Sequence, residues 1–204
     1  GERVVRAGRW KTWGPLILLG QDIHHATLGI IGLGRIGAEV AKRAKGFDMK
    51  VTYYDTVRRP DIEQKLGVEF KDLKTLLAES DFVSVHCPLL PETHHLFGAE
   101  QFKLMKKTAI LVNSARGPIV DPKALYEALR NRRIAYAALD VTEPEPIPMD
   151  DPLLTLDNIV IAPHIASASV ATRTKMAMMA VDNLLAGLKG ERPPYIVNPD
   201  VLVE

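Results

Sequence analysis

The sequence of 204 residues contains a single cysteine, Cys87, and this scarcity excludes an internal disulfide framework. We therefore expect a protein that works in a reducing compartment, the cytoplasm. No apolar run approaches the ~18 consecutive residues needed to span a bilayer, and no signal-like segment opens the chain. We expect neither a membrane span nor a membrane partner.

The sequence also lacks an excess of charge of either sign. The 26 Lys and Arg residues nearly balance the 25 Asp and Glu residues, which leaves a formal net charge of +1. This balance gives no sign of a nucleic-acid partner, and we expect none. Apolar residues make up 47% of the chain and charged residues 25%, ordinary values for a globular domain that buries one substantial core.

Three glycines follow the first predicted strand. The apolar run Thr27–Ile31 leads directly into Gly32, Gly34 and Gly37, and an apolar helical pattern begins at once. A G-x-G-x-x-G string between a buried strand and a helix is typical of a dinucleotide-binding turn. Asp55 closes the next apolar run, 18 positions after Gly37, where a ribose-binding carboxylate is expected. The pattern predicts a dinucleotide site; the alternative is a glycine-rich turn in an unrelated α/β domain.

Each glycine has a separate predicted task. Gly32 permits a tight turn, Gly34 lets the backbone approach a pyrophosphate, and Gly37 lets helix and strand pack closely. The free N–H groups at the start of the helix would face the phosphates, where the helix dipole also favours negative charge. Because Asp55 would repel a 2′-phosphate, we expect NAD as the cofactor, while Arg58–Arg59 leave NADP possible.

Short apolar runs alternate with helical patterns along the rest of the chain. Strands are predicted at Thr27–Ile31, Val51–Tyr54, Phe82–Val85, Ala109–Val112, Ala135–Leu139 and Ile159–Ala162. Asp72 and Asp121–Pro122 indicate helix starts, because a carboxylate can cap the first turn. The alternation implies right-handed βαβ units and an α/β fold of Rossmann type: a doubly wound parallel sheet in a three-layer αβα arrangement.

The two ends fall outside this alternation and divide the chain into three predicted parts. Residues 1–20 form a basic N-terminal arm with two tryptophans, either a solvated helix with local packing or a contact to a second subunit. Residues 21–168 form the dinucleotide-binding domain. Residues 169–204 contain a long helix, predicted at Val170–Leu188, and a tail.

Three ionisable residues follow strands that are predicted to end at one edge of the sheet. Arg116 follows the fourth predicted strand, Glu145 lies in a proline-rich loop after the fifth, and His164 follows the sixth. Parallel sheets bind ligands beyond the carboxyl ends of their strands, so these side chains should converge beside the glycine turn. There an arginine can hold a carboxylate and a histidine can transfer a proton. Taken singly, the simpler alternatives are a surface ion pair, a solvated loop charge and a partly buried histidine.

Four motifs, in the same order over nearly the whole chain, resemble the D-isomer-specific 2-hydroxyacid dehydrogenases. They are Gly32–Gly37, Asn113–Gly117, Ala138–Pro146 and Ala162–Ala166. The opening segment Ala7–Pro15 most resembles the glyoxylate and hydroxypyruvate reductase branch. The resemblance implies an oxidoreductase that transfers a hydride between a nicotinamide cofactor and a small 2-oxo or 2-hydroxy acid, with glyoxylate or hydroxypyruvate favoured.

The resemblance implies roles for individual residues. Arg116 would bind the substrate carboxylate and polarise its carbonyl, His164 would donate the proton, and Glu145 would orient His164 and favour its imidazolium. Besides the three glycines and Asp55, the residues implied to contact the cofactor are Arg35, Ile36, Cys87, Pro88, Ser114, Arg116, Asp140, His164 and Ala166.

The resemblance also implies a missing part. In this family the substrate domain is built mostly from the N-terminal part of the chain, so we expect that domain to be largely absent here. We accordingly expect this chain to bind cofactor but to turn over slowly or not at all. A homodimer formed through the nucleotide domain and the N-terminal arm is the expected assembly.

Other features and other functions have competing interpretations. The pairs His24–His25 and His94–His95 are interpreted as surface loops, with no metal site, because adjacent residues rarely point at one ion. Cys87 is interpreted as a small buried residue. Phosphite dehydrogenase resembles this chain in its Arg, Glu and His, whereas formate dehydrogenases pair the histidine with glutamine. An NAD(H)-sensing corepressor-like binding module is a further alternative, although no peptide-docking region is identified.

Overall fold

A computed structural model describes residues 1–201 in two compact units, Gly1–Ala162 and a second that begins at Pro163. A seven-stranded, wholly parallel sheet forms the centre of the first unit. Its strands are β1 (Thr27–Ile31), β2 (Lys50–Tyr54), β3 (Glu69–Phe70), β4 (Phe82–Val85), β5 (Ile110–Asn113), β6 (Tyr136–Leu139) and β7 (Ile159–Ile161). The order β3-β2-β1-β4-β5-β6-β7 is that of a doubly wound dinucleotide-binding sheet. The predicted fold class is confirmed.

Helices connect the strands and cover two hydrophobic clusters. Their bounds in the first unit are α1 (Glu2–Arg6), α2 (Arg35–Ala44), α3 (Pro60–Leu66), α4 (Leu73–Glu79), α5 (Ala99–Leu104) and α6 (Pro122–Arg130). One cluster joins Leu28 and Ile30 of β1 to α2 and α3. The other joins Ile31 to α4, α5 and α6. Alternate side chains of one strand therefore enter different clusters, as expected for a sheet with both faces covered.

Side-chain caps fix two of the predicted helix starts. The Asp72 carboxylate accepts a hydrogen bond from the Thr75 N–H at 3.0 Å, which starts α4. Asp121 accepts from Lys123 N–H at 2.9 Å and from Ala124 N–H at 3.2 Å, and Pro122 opens α6. Each cap satisfies N–H groups that the first turn of a helix leaves without partners.

Among its α-helices and strands, the structure adds two short elements that the sequence patterns did not predict. They are α3 and β3, of seven and two residues. β3 pairs with β2 at the edge of the sheet, and Glu69 lies 3.6 Å from the ammonium groups of both Lys50 and Lys71. Two residues are too few for an apolar alternation to be visible.

The N-terminal arm is helical only in α1, which ends before both tryptophans. Trp10 and Trp13 are 61% and 78% exposed, and Leu16 is 80% exposed. Arg3 joins the arm to the sheet domain by donating to the carbonyl oxygen of Asp157 at 3.1 Å. The arm therefore carries a run of exposed apolar side chains beyond its single helical segment.

The second unit consists mainly of α7 (Val170–Leu188), at the bounds predicted from the sequence. The Ser169 hydroxyl accepts from the Thr172 N–H at 3.2 Å and caps this helix. Two hydrogen bonds of 2.9 Å between the side-chain amide of Asn183 and the backbone of Tyr195 return the tail to the helix. Within residues 1–201, no helix has both the length and the apolar character to cross a bilayer.

Candidate functional site: a nucleotide cleft at the carboxyl edge of the sheet

The turn between β1 and α2 is packed so closely that two of its positions exclude a side chain. Gly32 has φ +93° and donates its N–H to the carbonyl oxygen of Tyr54 at 2.8 Å. A Cβ on Gly32 would lie 2.6 Å from the backbone nitrogen of Cys87, and one on Gly37 would lie 2.2 Å from the carbonyl oxygen of Gly32. Backbone from three segments therefore meets here, and only glycine fits.

The middle glycine of the turn faces open space. Gly34 is the N-cap of α2, and a Cβ built on it would meet no atom within 4 Å. Arg35 and Ile36 form the exposed first turn of the helix, and the Ile36 side chain is 68% exposed. Free N–H groups, a favourable dipole and unobstructed approach are what a pyrophosphate requires at this position.

The Asp55 carboxylate lies against the glycine turn. Its Oδ2 accepts a hydrogen bond from the Leu33 N–H at 2.8 Å. Of the two following arginines, Arg58 makes two 2.8 Å hydrogen bonds to Glu63, whereas Arg59 reaches the carbonyl oxygen of Leu33 at 3.5 Å. Asp55 therefore lies against the turn, and Arg59, which also donates to Asp61 at 3.1 Å, reaches it, whereas Arg58 is engaged with Glu63.

A cleft of about 440 Å³ opens where β4 and β5 end. It is lined by Ile36, His86–Leu89 and Ser114–Arg116. Four residues predicted from the sequence to contact the cofactor therefore share this cleft with Arg116: Ile36, Cys87, Pro88 and Ser114. His86 also lines it, and no motif indicated that residue.

Burial makes two titratable groups of the cleft uncharged near neutral pH. Burial, with a smaller contribution from the charge of Asp55, raises the pKa of the Cys87 thiol to about 11. Cys87 is therefore a protonated, half-buried thiol, which is not the state of a nucleophile. Burial lowers the pKa of His86, whose Nε2 lies 2.9 Å from the Ser84 hydroxyl. The part of the cleft that His86 and Cys87 form is therefore polar but uncharged.

The loop that carries Arg116 is fixed by a buried asparagine. Asn113 is 1% exposed; its side-chain nitrogen donates to the carbonyl oxygen of Arg116 at 2.9 Å, and its Oδ1 accepts from the Ala115 N–H at 3.0 Å. The exposed Arg116 guanidinium donates to the Ala115 carbonyl oxygen at 2.6 Å. Asn113 is a positioning residue that the sequence patterns did not single out, although a polar residue at the end of a buried strand is a usable signal.

The loop after β6 contacts the Arg116 loop directly. Asp140 begins it and donates its N–H to the carbonyl oxygen of Asn113 at 2.9 Å. A Cβ on Gly117 would lie only 1.9 Å from the carbonyl oxygen of Thr142, so the two backbones are in tight contact. Glu145 is exposed, and its Oε2 accepts from the Thr142 N–H at 3.3 Å. The loops of Arg116 and Glu145 are therefore neighbours at one edge of the sheet.

His164 and Ala166 belong to the second unit. His164 is exposed and has φ +53°, and the Ala168 N–H donates to the carbonyl oxygen of Ile165 at 2.9 Å within the same segment. The approach of His164 to Arg116 and Glu145 stays a prediction.

A family comparison identifies this arrangement. Residues 1–166 match the sequence model of the family described as "D-isomer specific 2-hydroxyacid dehydrogenase, NAD binding domain". The chain belongs to this family. The glycine turn, the open approach at Gly34 and the Asp55 carboxylate fit NAD, the cofactor in that description.

Similar proteins carry the same domain within longer chains. The chain is 58% identical over 202 residues to a glyoxylate reductase of Korarchaeum cryptofilum, covering 98% of this chain and 61% of that relative. The crystal structure of the TT0316 protein from Thermus thermophilus has a TM-score of 0.91 and 50% identity, covering 96% of this chain and 61% of that one. D-lactate dehydrogenase with NAD⁺ from Lactobacillus jensenii has a TM-score of 0.85 and 33% identity, with coverages of 96% and 62%. The chain thus spans about three fifths of the length of these proteins.

Proposed function

We propose that this chain supplies the cofactor site and the catalytic side chains of an NAD-dependent oxidoreductase that interconverts a small 2-oxo acid and its D-2-hydroxy acid. Glyoxylate or hydroxypyruvate is the preferred substrate. The observation that carries the proposal is the close backbone contact between the Arg116 loop and the Glu145 loop beside the cleft. It supports a site in which a cation and a carboxylate from different strands act together.

Arg116, Glu145 and His164 have distinct roles in this proposal. The Arg116 guanidinium binds the substrate carboxylate with two parallel N–H donors and polarises the neighbouring carbonyl. His164 donates a proton to the carbonyl oxygen during reduction and removes it during oxidation. Glu145 accepts a hydrogen bond from the His164 ring, which fixes its orientation and favours its protonated form.

The cofactor-binding residues divide between phosphate, ribose and nicotinamide. When bound, NADH supplies the hydride for reduction. The N-terminus of α2 at Gly34–Ile36 would hold the pyrophosphate, and Asp55 would accept from the ribose hydroxyls and exclude a 2′-phosphate. Cys87 and Pro88 would lie near the adenosine, Ser114 and Asp140 near the nicotinamide side, and Ala166 would be a further cofactor contact.

Turnover is best tested with the substrate part restored. We expect the chain, joined to the part of the Korarchaeum cryptofilum glyoxylate reductase that it does not match, to oxidise NADH in the presence of glyoxylate or hydroxypyruvate. Replacing Arg116 with Gln should abolish measurable turnover, a far larger loss than any weakening of NADH binding measured by fluorescence. Phosphite and formate, tested with NAD⁺, should give no reaction. Cofactor binding without turnover on any of these acids would instead support a cofactor-sensing binding module.

The proposed assembly is a homodimer, working in the cytoplasm, in which the N-terminal arm contacts a second subunit. The exposed apolar side chains of the arm, among them Trp10, Trp13 and Leu16, support this proposal. Light scattering of a chain that lacks residues 1–20 should give the mass of a monomer. A dimer that persists after this deletion would exclude the arm as the contact.

A further inference from the structure

Two adjacent histidines and a glutamate, His94, His95 and Glu143, meet on the surface of the first unit. The His95 Nε2 lies 2.7 Å from Glu143 Oε2, and the His94 Nε2 lies 3.9 Å from Glu143 Oε1. One ligand atom from each residue can be chosen so that all three lie within 4.8 Å of one another. Across residues 1–201 this is the one group of three or more His, Cys, Asp or Glu side chains so arranged.

The backbone turns both imidazoles to the same side, which adjacent residues rarely achieve. His94 follows the short turn Pro91–Thr93, and the His95 N–H donates to the carbonyl oxygen of Pro118 at 2.8 Å. His95 has φ +51°, in the left-handed region, and the two rings stack with centroids 4.0 Å apart and planes inclined by 27°. Because His95 adopts this left-handed conformation, the two rings lie side by side, and each can offer one nitrogen to the same ligand.

The carboxylate is brought to the histidines by packing that needs no ligand. Gly117 touches the backbone of Thr142, and a Cβ on it would also lie 2.9 Å from the Glu143 nitrogen. The same segment holds His95 through the Pro118 carbonyl oxygen. The two loops that carry the donors are thus fixed against one intervening loop, so the donor atoms are arranged in advance.

We propose that His94, His95 and Glu143 form a binding site for a divalent transition-metal cation of the zinc class. Imidazole nitrogen and carboxylate oxygen are the ligands that Zn²⁺ takes at about 2.0–2.2 Å, and the half-exposed position leaves room for water as a fourth ligand. Binding would replace the hydrogen bond between His95 and Glu143 with bonds from both groups to the metal. The hydrogen bond between His95 and Glu143 would by itself hold the two loops together. The observation that points to a cation is the His94 imidazole beside the other carboxylate oxygen of Glu143.

A second histidine pair provides a comparison within the same chain. His24 and His25 also stack, with centroids 3.8 Å apart, and His25 has φ +62°. The His24 Nδ1 lies 3.7 Å from the Asp48 carboxylate and 3.1 Å from the carbonyl oxygen of Phe47. This pair has the same local conformation without a group of three donor side chains, so it serves as a matched control.

The experiment is calorimetric titration of the 204-residue chain with Zn²⁺ at neutral pH, repeated with Mg²⁺. We expect one saturable Zn²⁺ site and no comparable Mg²⁺ binding, because Mg²⁺ prefers oxygen ligands in octahedral geometry. The variants His94→Ala and Glu143→Gln should each weaken Zn²⁺ binding about tenfold or more, since even removal of groups outside the ligand shell costs that much. Replacing both His24 and His25 with Ala should leave the affinity unchanged.

Co²⁺ gives a second readout that does not depend on affinity alone. We expect the visible absorption bands of bound Co²⁺ to differ between the wild-type chain and the His94→Ala variant. His94 is suitable for this test because its exposed side chain takes no part in the His95–Glu143 hydrogen bond that holds the two loops together. Circular dichroism checks that each variant is folded. The proposal is overturned if Zn²⁺ shows no saturable site, if the His94→Ala variant binds as tightly as wild type, or if loss of His24 and His25 weakens binding equally.

Discussion

The turn after β1 and the loop after β6 lie at the same edge of the sheet but are built in different ways. The turn is backbone packed on backbone: Gly32 and Gly37 leave no room for a Cβ. The loop after β6 carries two carboxylates, the half-buried Glu143 and the exposed Glu145, and is placed by contacts from other loops, above all that of Gly117 with Thr142. The phosphate turn and Asp55 are therefore specified within about thirty residues of sequence, whereas the proposed chemical site depends on contacts between distant segments.

This difference explains how one fold can keep a cofactor and vary a reaction. A rigid turn of glycine and helix N-terminus binds phosphate through backbone groups that every sequence has. The reacting groups, in contrast, are side chains on loops, which can be replaced without disturbing the sheet. Substitutions in the two regions should accordingly have separable effects.

The largest effect is expected from adding one methyl group at Gly117. In the Gly117→Ala variant the new Cβ would lie 1.9 Å from the Thr142 carbonyl oxygen, so one of the two loops must move. We expect the free energy of unfolding in urea to fall by about 1–3 kcal/mol, the usual range for overpacking. The matched variant Gly34→Ala adds the same group to open space; its free energy of unfolding should stay within about 0.5 kcal/mol of wild type.

The Gly34→Ala variant also sharpens the comparison between the two regions, because its affinity for NADH should fall although its free energy of unfolding does not. The methyl group at position 34 would stand where the pyrophosphate approaches. Equal losses of stability in the Gly34 and Gly117 variants would contradict the distinction between the two regions.

A smaller effect is expected from neutralising Asp55. The chain should bind NADH more tightly than NADPH in a fluorescence titration, because the carboxylate accepts from ribose hydroxyls and repels a 2′-phosphate. In the Asp55→Asn variant we expect NADH affinity to fall about tenfold, the loss associated with one charged hydrogen bond, and NADPH affinity to rise. Glu79→Gln removes a charge from an exposed helix end and should change neither affinity. Unaltered preference in the Asp55 variant would remove this residue from the ribose site.

The smallest effect is expected from replacing Glu145 with Gln in the active, joined protein. The neutral amide no longer favours protonated His164, and reduction requires that proton. The upper limb of the pH–rate profile should therefore move to lower pH, while NADH affinity stays constant. Asp150→Asn, a change to an exposed carboxylate five residues further along, should leave the profile in place. Coincident profiles for wild type and the Glu145 variant would exclude the proposed pairing.

Most of the sheet was predictable because its strands are short apolar runs bounded by strong start signals. All six strands predicted from such runs are present to within one or two residues, and the caps at Asp72 and Asp121 act as predicted. β3 was missed because its two residues form only through pairing with β2, a tertiary effect. The helix α3 was missed although Pro60 opens it. None of its seven residues is fully buried, so its sequence shows no clear apolar face.

The candidate site was predictable to the extent that its residues follow motifs. Ile36, Cys87, Pro88, Ser114 and Arg116 do line one cleft. His86 and Asn113 were missed because their roles depend on burial. Burial lowers the pKa of His86, and the buried Asn113 side chain holds the Arg116 loop by a hydrogen bond to the Arg116 carbonyl oxygen. The partnership of Glu143 with the two histidines spans 48 positions and depends on the left-handed His95, so no spacing rule could reveal it.

The two-residue strand β3 also determines how this sheet ends. An edge strand exposes unpaired backbone groups that can recruit a strand from another molecule and begin aggregation. Here that edge offers only Glu69–Phe70, and the Lys71 ammonium lies 4.0 Å from Glu79 and 3.6 Å from Glu69. A short, charged border leaves an incoming strand little to pair with, so this side of the seven-stranded sheet resists growth into a larger one.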